Sequence, residues 1–326
     1  MTLSEFPSRP RAVDWRTLSA DRVAPLIADE VDRWARLLEW DVAAEWAEIE
    51  KARQAGLATG LAVIDENGAI AGWSRYQTRN HVLQVGVFNA RSESVTNLML
   101  NQILSGPALA FVQTVSLFAL SEAPGLNAAL RERGLSVDRY FYMARDLGRG
   151  SPLSLPDLRR WSAEDLPATA DLLARSYEPR SEARPFVPSG LRNDWVDYAF
   201  RLTKESGCGV LDTEASLCIP AGPGRLMAMA LVTRISQNTA HLAQLVVDPQ
   251  MRGRRVGVQL MELACAAAAR AGCRRITLLV GGANRRARAL YEAARFQPRG
   301  SFVSAGTLQP RRSTSAAPAG AVITRR

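Results

Sequence analysis

The stretch 245-LVVDPQMRGRRVGVQLMELA-264 decides how this chain is read. Its β-branched, apolar start is a strand, and Pro249 ends it, because proline offers no N–H to a ladder. After the knot Arg252, Gly253, Arg254 and Arg255 comes an apolar, alanine-rich run from Val256 that predicts a helix over 256–271. Gly253 and Gly257 free the backbone for a tight turn whose amides can converge on an anion. The helix start adds its unpaired N–H groups and the positive end of its dipole. Guanidinium forks suit phosphate oxygens. A solvated strand-to-helix turn is the plainer reading of R-G-R-R taken alone.

The charge of the whole chain points to the same region. The formal net charge of +9 over 326 residues suggests a nucleic-acid binder. Between residues 250 and 300, however, eleven arginines stand against only Glu262 and Glu292, so the excess is concentrated around this joint. A basic patch gripping nucleic acid is therefore weighed as an alternative, and a local phosphate site is preferred.

Downstream, 276-ITLLVGGANRRARALYEAARF-296 repeats the strand-to-helix transition. Asn284 is suited to cap the helix. Ala287, Leu290, Tyr291 and Ala294 share one face, which makes Tyr291 either a core tyrosine or a functional phenol.

Together these segments resemble the GNAT-type N-acetyltransferase superfamily. Val247-Asp248-Pro249 followed by Arg252-Gly253-Arg254-Arg255-Val256-Gly257 is similar to its cofactor motif, and Asn284, Ala287, Leu290, Tyr291 and Phe296 match its second motif. Arg255 and Arg295 stand where the family has glycine, which puts the turn geometry in question. The resemblance spans about residues 156–308. It implies an acetyl-CoA cleft between splayed strands, with the backbone of Leu245, Val246 and Val247 bonding the pantetheine arm. It also implies pyrophosphate on the turn from Arg252 to Val258, including Arg254, and arginines such as Arg285, Arg286 and Arg288 screening the ribose phosphate. Asn284 would complete the cofactor site. Tyr291 would give a proton to the departing thiolate, and the acceptor would be the amine of a small molecule.

Order along the chain suggests duplication. In the first half, helices over 21–54 precede strands at 60–65, 69–77 and 81–88, a helix at 94–104, a strand at 112–120, a helix at 126–133 and a strand at 139–145. In the second half, helices at 165–175 and 193–205 precede strands at 207–212, 226–236 and 240–248; then helix 256–271, strand 276–280, helix 284–294 and strand 301–308 follow. The expected fold is α/β with mixed sheets: two tandem GNAT-like domains, each a mostly antiparallel sheet flanked by helices with one splayed parallel pair. The boundaries drawn are 1–147, a Gly/Pro/Ser-rich linker at 148–157, 158–309, and a disordered tail at 310–326. The first copy is expected to be degenerate: 89-NARSESVTNL-98 has no glycine turn, and Leu130 stands in the place of Tyr291.

Other chemistry finds little support. Cys208, Cys218, Cys265 and Cys273 lack C-x-x-C spacing and read as reduced, buried thiols of a cytoplasmic protein, with no metal site. His241 lies on the correct strand for a general base, though ordinary packing is the stronger reading; His81 is far away. The uncharged run 95–121 carries too many amides for a membrane span and reads as a buried helix, a turn and a buried strand. Aromatic and acidic residues over 176–200, among them Tyr177, Glu178, Glu182, Phe186, Asp194, Trp195, Asp197 and Tyr198, serve an acceptor pocket or a domain interface equally well. A non-catalytic acyl-CoA-binding module is the remaining alternative. The oligomeric state is not readable.

Overall fold

The computed structural model describes residues 9–79, 81–106, 109, 112–148, 154–177, 187, 192–205 and 208–307. The first half runs β1 (Arg11–Asp14), α1 (Ala20–Leu38), α2 (Ala43–Gln54), β2 (Gly60–Ile64), β3 (Ile70–Arg79), β4 (Val82–Ala90), α3 (Glu93–Ser105), β5 (Thr114–Ala119), α4 (Leu126–Glu132) and β6 (Leu135–Asp146). The second runs β7 (Arg159–Arg160), α5 (Leu166–Tyr177), α6 (Arg192–Lys204), β8 (Val210–Leu211), β9 (Leu217–Pro220), β10 (Leu226–Arg234), β11 (Thr239–Val247), α7 (Val256–Arg270), β12 (Arg275–Gly281), α8 (Arg285–Ala293) and β13 (Gln297–Thr307). The duplicated order is present. Short strands β1, β7 and β9 were not anticipated, because two to four residues carry no readable alternation.

Each half buries apolar faces on both sides of its strands. In the second half Leu260, Met261 and Ala264 of α7 cover one face with Leu242, Ile276 and Leu278. Leu172 and Leu173 of α5 and Trp195 and Leu202 of α6 cover the other. Alanines dominate the buried stripe of α7, so that helix can lie close to the sheet. In the first half Val95, Met99 and Leu100 of α3 pack on Val63, Leu83 and Val85. Val95, Met99, Leu100, Ile103, Val115 and Leu117 of the uncharged run are thus core, and among the described residues no helix is long and apolar enough to cross a membrane. Cys218, Cys265 and Cys273 are buried free thiols and Cys208 is half-buried.

The two sheets are continuous. The strand order is β1-β2-β3-β4-β5-β13-β6-β12-β11-β10-β9-β7, with β8 on β10. The last strand of each half therefore lies against the other half: β13 pairs with β5 and β6 pairs with β12, each antiparallel. Hydrophobic alternation specifies which face of a strand is buried, not which neighbour it takes. The predicted tail, 310–326, lies outside the described residues.

The same irregularity recurs in both halves. The parallel pairs β4–β5 and β11–β12 each hold register for only four residues, ending at Val85↔Leu117 and Leu242↔Leu278. On the opposite edge, β3–β4 skips Gly86 and β10–β11 skips Ala243. A single extra residue bends a strand and increases its twist. This bulge turns β11 away from β12 just where the pairing stops.

Candidate active site

Beyond Leu242 the free edge of β11 faces a gap. Asp248 N–H donates to Met227 C=O at 2.8 Å. By antiparallel alternation, residues 244, 246 and 248 aim their backbone groups at β10, and Leu245 and Val247 turn theirs to the open side. Val246 lines the gap as well, but its backbone faces β10, so the free donors and acceptors are those of Leu245 and Val247.

A short 3-10 turn, Pro249–Met251, follows, capped by Asp248, whose Oδ1 accepts the Gln250 N–H at 3.1 Å. The Asp248 side chain is 7% exposed and its Oδ2 accepts from Arg175 at 3.2 Å, with Arg225 at 3.5 Å. Burial works against its charge, yet the Gln250 amide and Arg175 hold the carboxyl below its ordinary value. Gly253 then takes φ of 84°, and Arg255 takes φ of 61° as the residue preceding α7. Arg255 thus adopts the left-handed conformation that glycine adopts freely, and the turn keeps its shape at a cost of about 1–2 kcal/mol. Gly257 sits in the helix and needs no such conformation.

These pieces enclose a cleft of about 340 Å³, within the range of small-molecule pockets. It is lined by Leu245, Val246, Val247, Arg252, Gly253, Arg255, Val256, Gly257, Val258, Asn284, Arg286, Ala287, Leu290 and Tyr291, all singled out from sequence, by Tyr177, weighed there for an acceptor pocket or an interface, and by Ser176 and Met251. Arg254 is exposed in the same turn and is not among the lining residues. The remaining arginines divide. Arg286 lines the cleft, Arg288 lies over the Phe141 ring at 4.5 Å, and Arg275 is bound to Glu39 and Asp146 across the two halves.

Asn284 caps α8, its Oδ1 accepting the Ala287 N–H at 3.1 Å. This sets the pitch at which Tyr291 enters the cleft two turns later. Burial, with Tyr177 adding to it, holds the Tyr291 phenol above its ordinary value, so it stays protonated. Opposite, α5 ends in Ser176 and Tyr177. Arg252 Nη2 donates to Ser176 C=O at 3.1 Å, tying the turn to that helix. The Tyr177 hydroxyl donates to Gln244 Oε1 at 3.0 Å, and Gln244 Nε2 donates to the Tyr198 hydroxyl at 2.5 Å. Trp195 stacks on Tyr177 at 5.5 Å, so Trp195 and Tyr198 are core residues. On α6 Asp197 is exposed and Asp194 half-buried, while Glu178, Glu182 and Phe186 lie outside the described residues. The contribution of α5 was legible only as an aromatic after an amphipathic helix. Asp248 could have been found as an aspartate preceding proline, a common turn opener.

His241 is elsewhere. It is 3% exposed, its Nδ1 meets Thr277 Oγ1 at 2.9 Å, and its ring stacks on Tyr142. Burial holds its pKa down to about 3. It packs between the halves, away from the cleft lining, so the packing reading holds and the candidacy as general base does not. Among the described residues no group of three or more His, Cys, Asp or Glu could hold a metal ion.

The first half lacks this turn altogether. From the end of β4 at Ala90 to α3 at Glu93 there are only Arg91 and Ser92, and Ser92 Oγ caps the helix by accepting Val95 N–H at 3.3 Å.

Comparison with known proteins agrees with this geometry. The family model described as "Acetyltransferase (GNAT) family" matches residues 166–296. No curated protein sequence matches the chain. Among solved structures, a GCN5-related N-acetyltransferase from Sphaerobacter thermophilus superposes with a TM-score of 0.61 at 17% identity, covering 92% of this chain and 96% of its own. A tandem GNAT protein from the clavulanic acid biosynthesis pathway gives 0.54 at 14% identity, covering 94% of this chain and all of its own (100%). At such identities these likenesses speak for the fold. Residues 166–296 therefore belong to the acetyltransferase (GNAT) family, in a chain with the fold of tandem GNAT proteins.

Proposed function

We propose that this protein is an acetyl-CoA-dependent N-acetyltransferase that acetylates the amine of a small molecule by direct transfer. One observation carries the reading: the open backbone edge at Leu245 and Val247, the start of α7, the guanidinium groups of Arg252, Arg255 and Arg286, and the Tyr291 phenol all meet in one cleft. Backbone amides at a helix start and arginine forks are the donor set a pyrophosphate requires. The free edge of a bulged strand suits the amide groups of a pantetheine arm.

Acetyl-CoA would supply the acyl group as a thioester. An N–H freed on β11 would stabilise the oxygen that gains charge as the amine nitrogen bonds to the acyl carbon. Tyr291 would give its proton to sulfur as the carbon–sulfur bond breaks, and its buried, protonated state supports that role. The proton shed by the new amide nitrogen would pass through water and restore the phenol. Holding both reactants in one cleft supplies much of the acceleration. In this reading residues 158–309 carry the transfer and 1–147 form a degenerate copy that has kept the scaffold. Reduced thiols favour the cytoplasm as the setting.

The test is an amine screen that follows release of free thiol from acetyl-CoA, run on wild type and on an Arg252→Ala, Arg255→Ala double variant. The reading requires amine-dependent release that is lost in the variant. Tight CoA binding without release for any amine would instead make the cleft a non-catalytic binding module.

A further inference from the structure

A second cavity, of about 270 Å³, opens in the first half. It lies between α1, the start of β3, the end of β4 and the segment after β5. Its chemistry is different. The start of α3 is closed by Ser92 and carries Glu93 in its first turn. The splay between the strands is occupied: Ser121 Oγ donates to Phe88 C=O at 2.6 Å. A pyrophosphate would meet no converging amides here.

The cavity offers charges of both signs instead. Glu30, 3% exposed, is saturated by Arg33 Nη2 at 2.9 Å, Trp34 Nε1 at 2.8 Å and Asn89 Nδ2 at 3.2 Å. Beside it, Arg33 Nε is shut off from solvent and has no hydrogen-bond partner. Arg33 Nη2 also donates to the Leu120 carbonyl, so this guanidinium is engaged within the protein and the charges open to a ligand are those of the rim. At the rim, Asp29, Arg91 and Glu122 are exposed, and their side chains make no hydrogen bond or ion pair among the described residues. Ile70 and Trp73 contribute an apolar wall.

We propose that this cavity binds a small zwitterion of the amino-acid type. Its carboxylate would take the exposed Arg91 guanidinium, and its ammonium would lie between Asp29 and Glu122. The site is independent of the acyl-CoA cleft and of the transfer reaction.

The test is calorimetry on the full chain without acetyl-CoA, titrating the ω-amino acids from glycine to 6-aminohexanoate, with hexanoate and hexylamine as single-charge controls. At least one zwitterion should bind saturably and about tenfold or more tighter than either control, the scale of one charge-assisted hydrogen bond. Arg91→Ala and Glu122→Gln, both surface changes compatible with folding, should each weaken it about tenfold while leaving the thermal midpoint unchanged. The proposal is overturned if no zwitterion outbinds the controls, or if both variants bind as wild type does.

Discussion

The backbone N–H of Phe296 donates to the carbonyl of Tyr291 at 2.9 Å, and the two rings meet edge-on with centroids 5.8 Å apart. With Arg295 N–H donating to Glu292 C=O at 2.9 Å, this is a Schellman ending of α8, with its accompanying apolar contact. Phe296 is 2% exposed and anchored in the core, so the end of the helix bearing the proposed proton donor is fixed to the sheet.

Tyr291→Phe keeps the ring and that contact and removes only the hydroxyl, which has no hydrogen-bond partner among the described residues. The expected result is a fall in kcat of about a hundredfold, the scale of one positioned acid, with KM for acetyl-CoA and thermal stability unchanged. Steady-state kinetics on an acceptor amine checks it, and an unaltered kcat returns Tyr291 to a packing role.

Arg295 holds φ of 66° at the C′ position of this motif. Glycine reaches that region without steric cost, although it loses more freedom on folding. Arg295→Gly should therefore stabilise the protein by about 0.5–1 kcal/mol, read as a rise of a few degrees at most in the thermal midpoint. A lower midpoint would mean that the arginine side chain contributes more than its backbone strain costs.

Both arginines in glycine positions show what the sequence could and could not reveal. Arg255 and Arg295 left the turns uncertain on paper, because residue type constrains φ only as a preference; the surrounding contacts impose the left-handed conformation on both. The cleft lining was legible because its residues are consecutive in two motifs and each motif sits at a strand-to-helix joint. Ser176 and Tyr177 were harder, since α5 reaches the cleft through tertiary packing. The exchange of β6 and β13 was not legible, because strand patterns fix burial and leave pairing open.

That exchange makes the halves interdependent. Expressed alone, residues 158–309 would leave β12 without the partner that covers all of Arg275–Gly281, and would leave β13 without β5 and β6. Exposed central-strand edges promote association. The isolated second half should be insoluble or self-associated by light scattering, and co-expression with residues 1–157 should recover a one-to-one complex. A monomeric, cooperatively folding second half would contradict the interdependence.

His241 ties folding to pH. In the unfolded chain it titrates near its ordinary value of 6.5, whereas burial holds it down to about 3 in the folded protein. Below 6.5 the unfolded state binds a proton that the native state refuses, so stability falls as pH drops through that window. His241→Gln should flatten the loss measured by urea unfolding between about pH 7 and pH 4, by up to about 1.4 kcal/mol per pH unit. An unchanged slope would show that other groups control acid stability.

The central claim is that the turn from Arg252 to Val258 and the free edge of β11 receive the pyrophosphate and pantetheine of acetyl-CoA. Calorimetric titration of the full chain with CoA tests it most directly. The account predicts saturable one-to-one binding, weakened about tenfold by Arg252→Ala and falling with added salt. No heat of binding at about millimolar CoA, the weak limit of specific recognition, would contradict it.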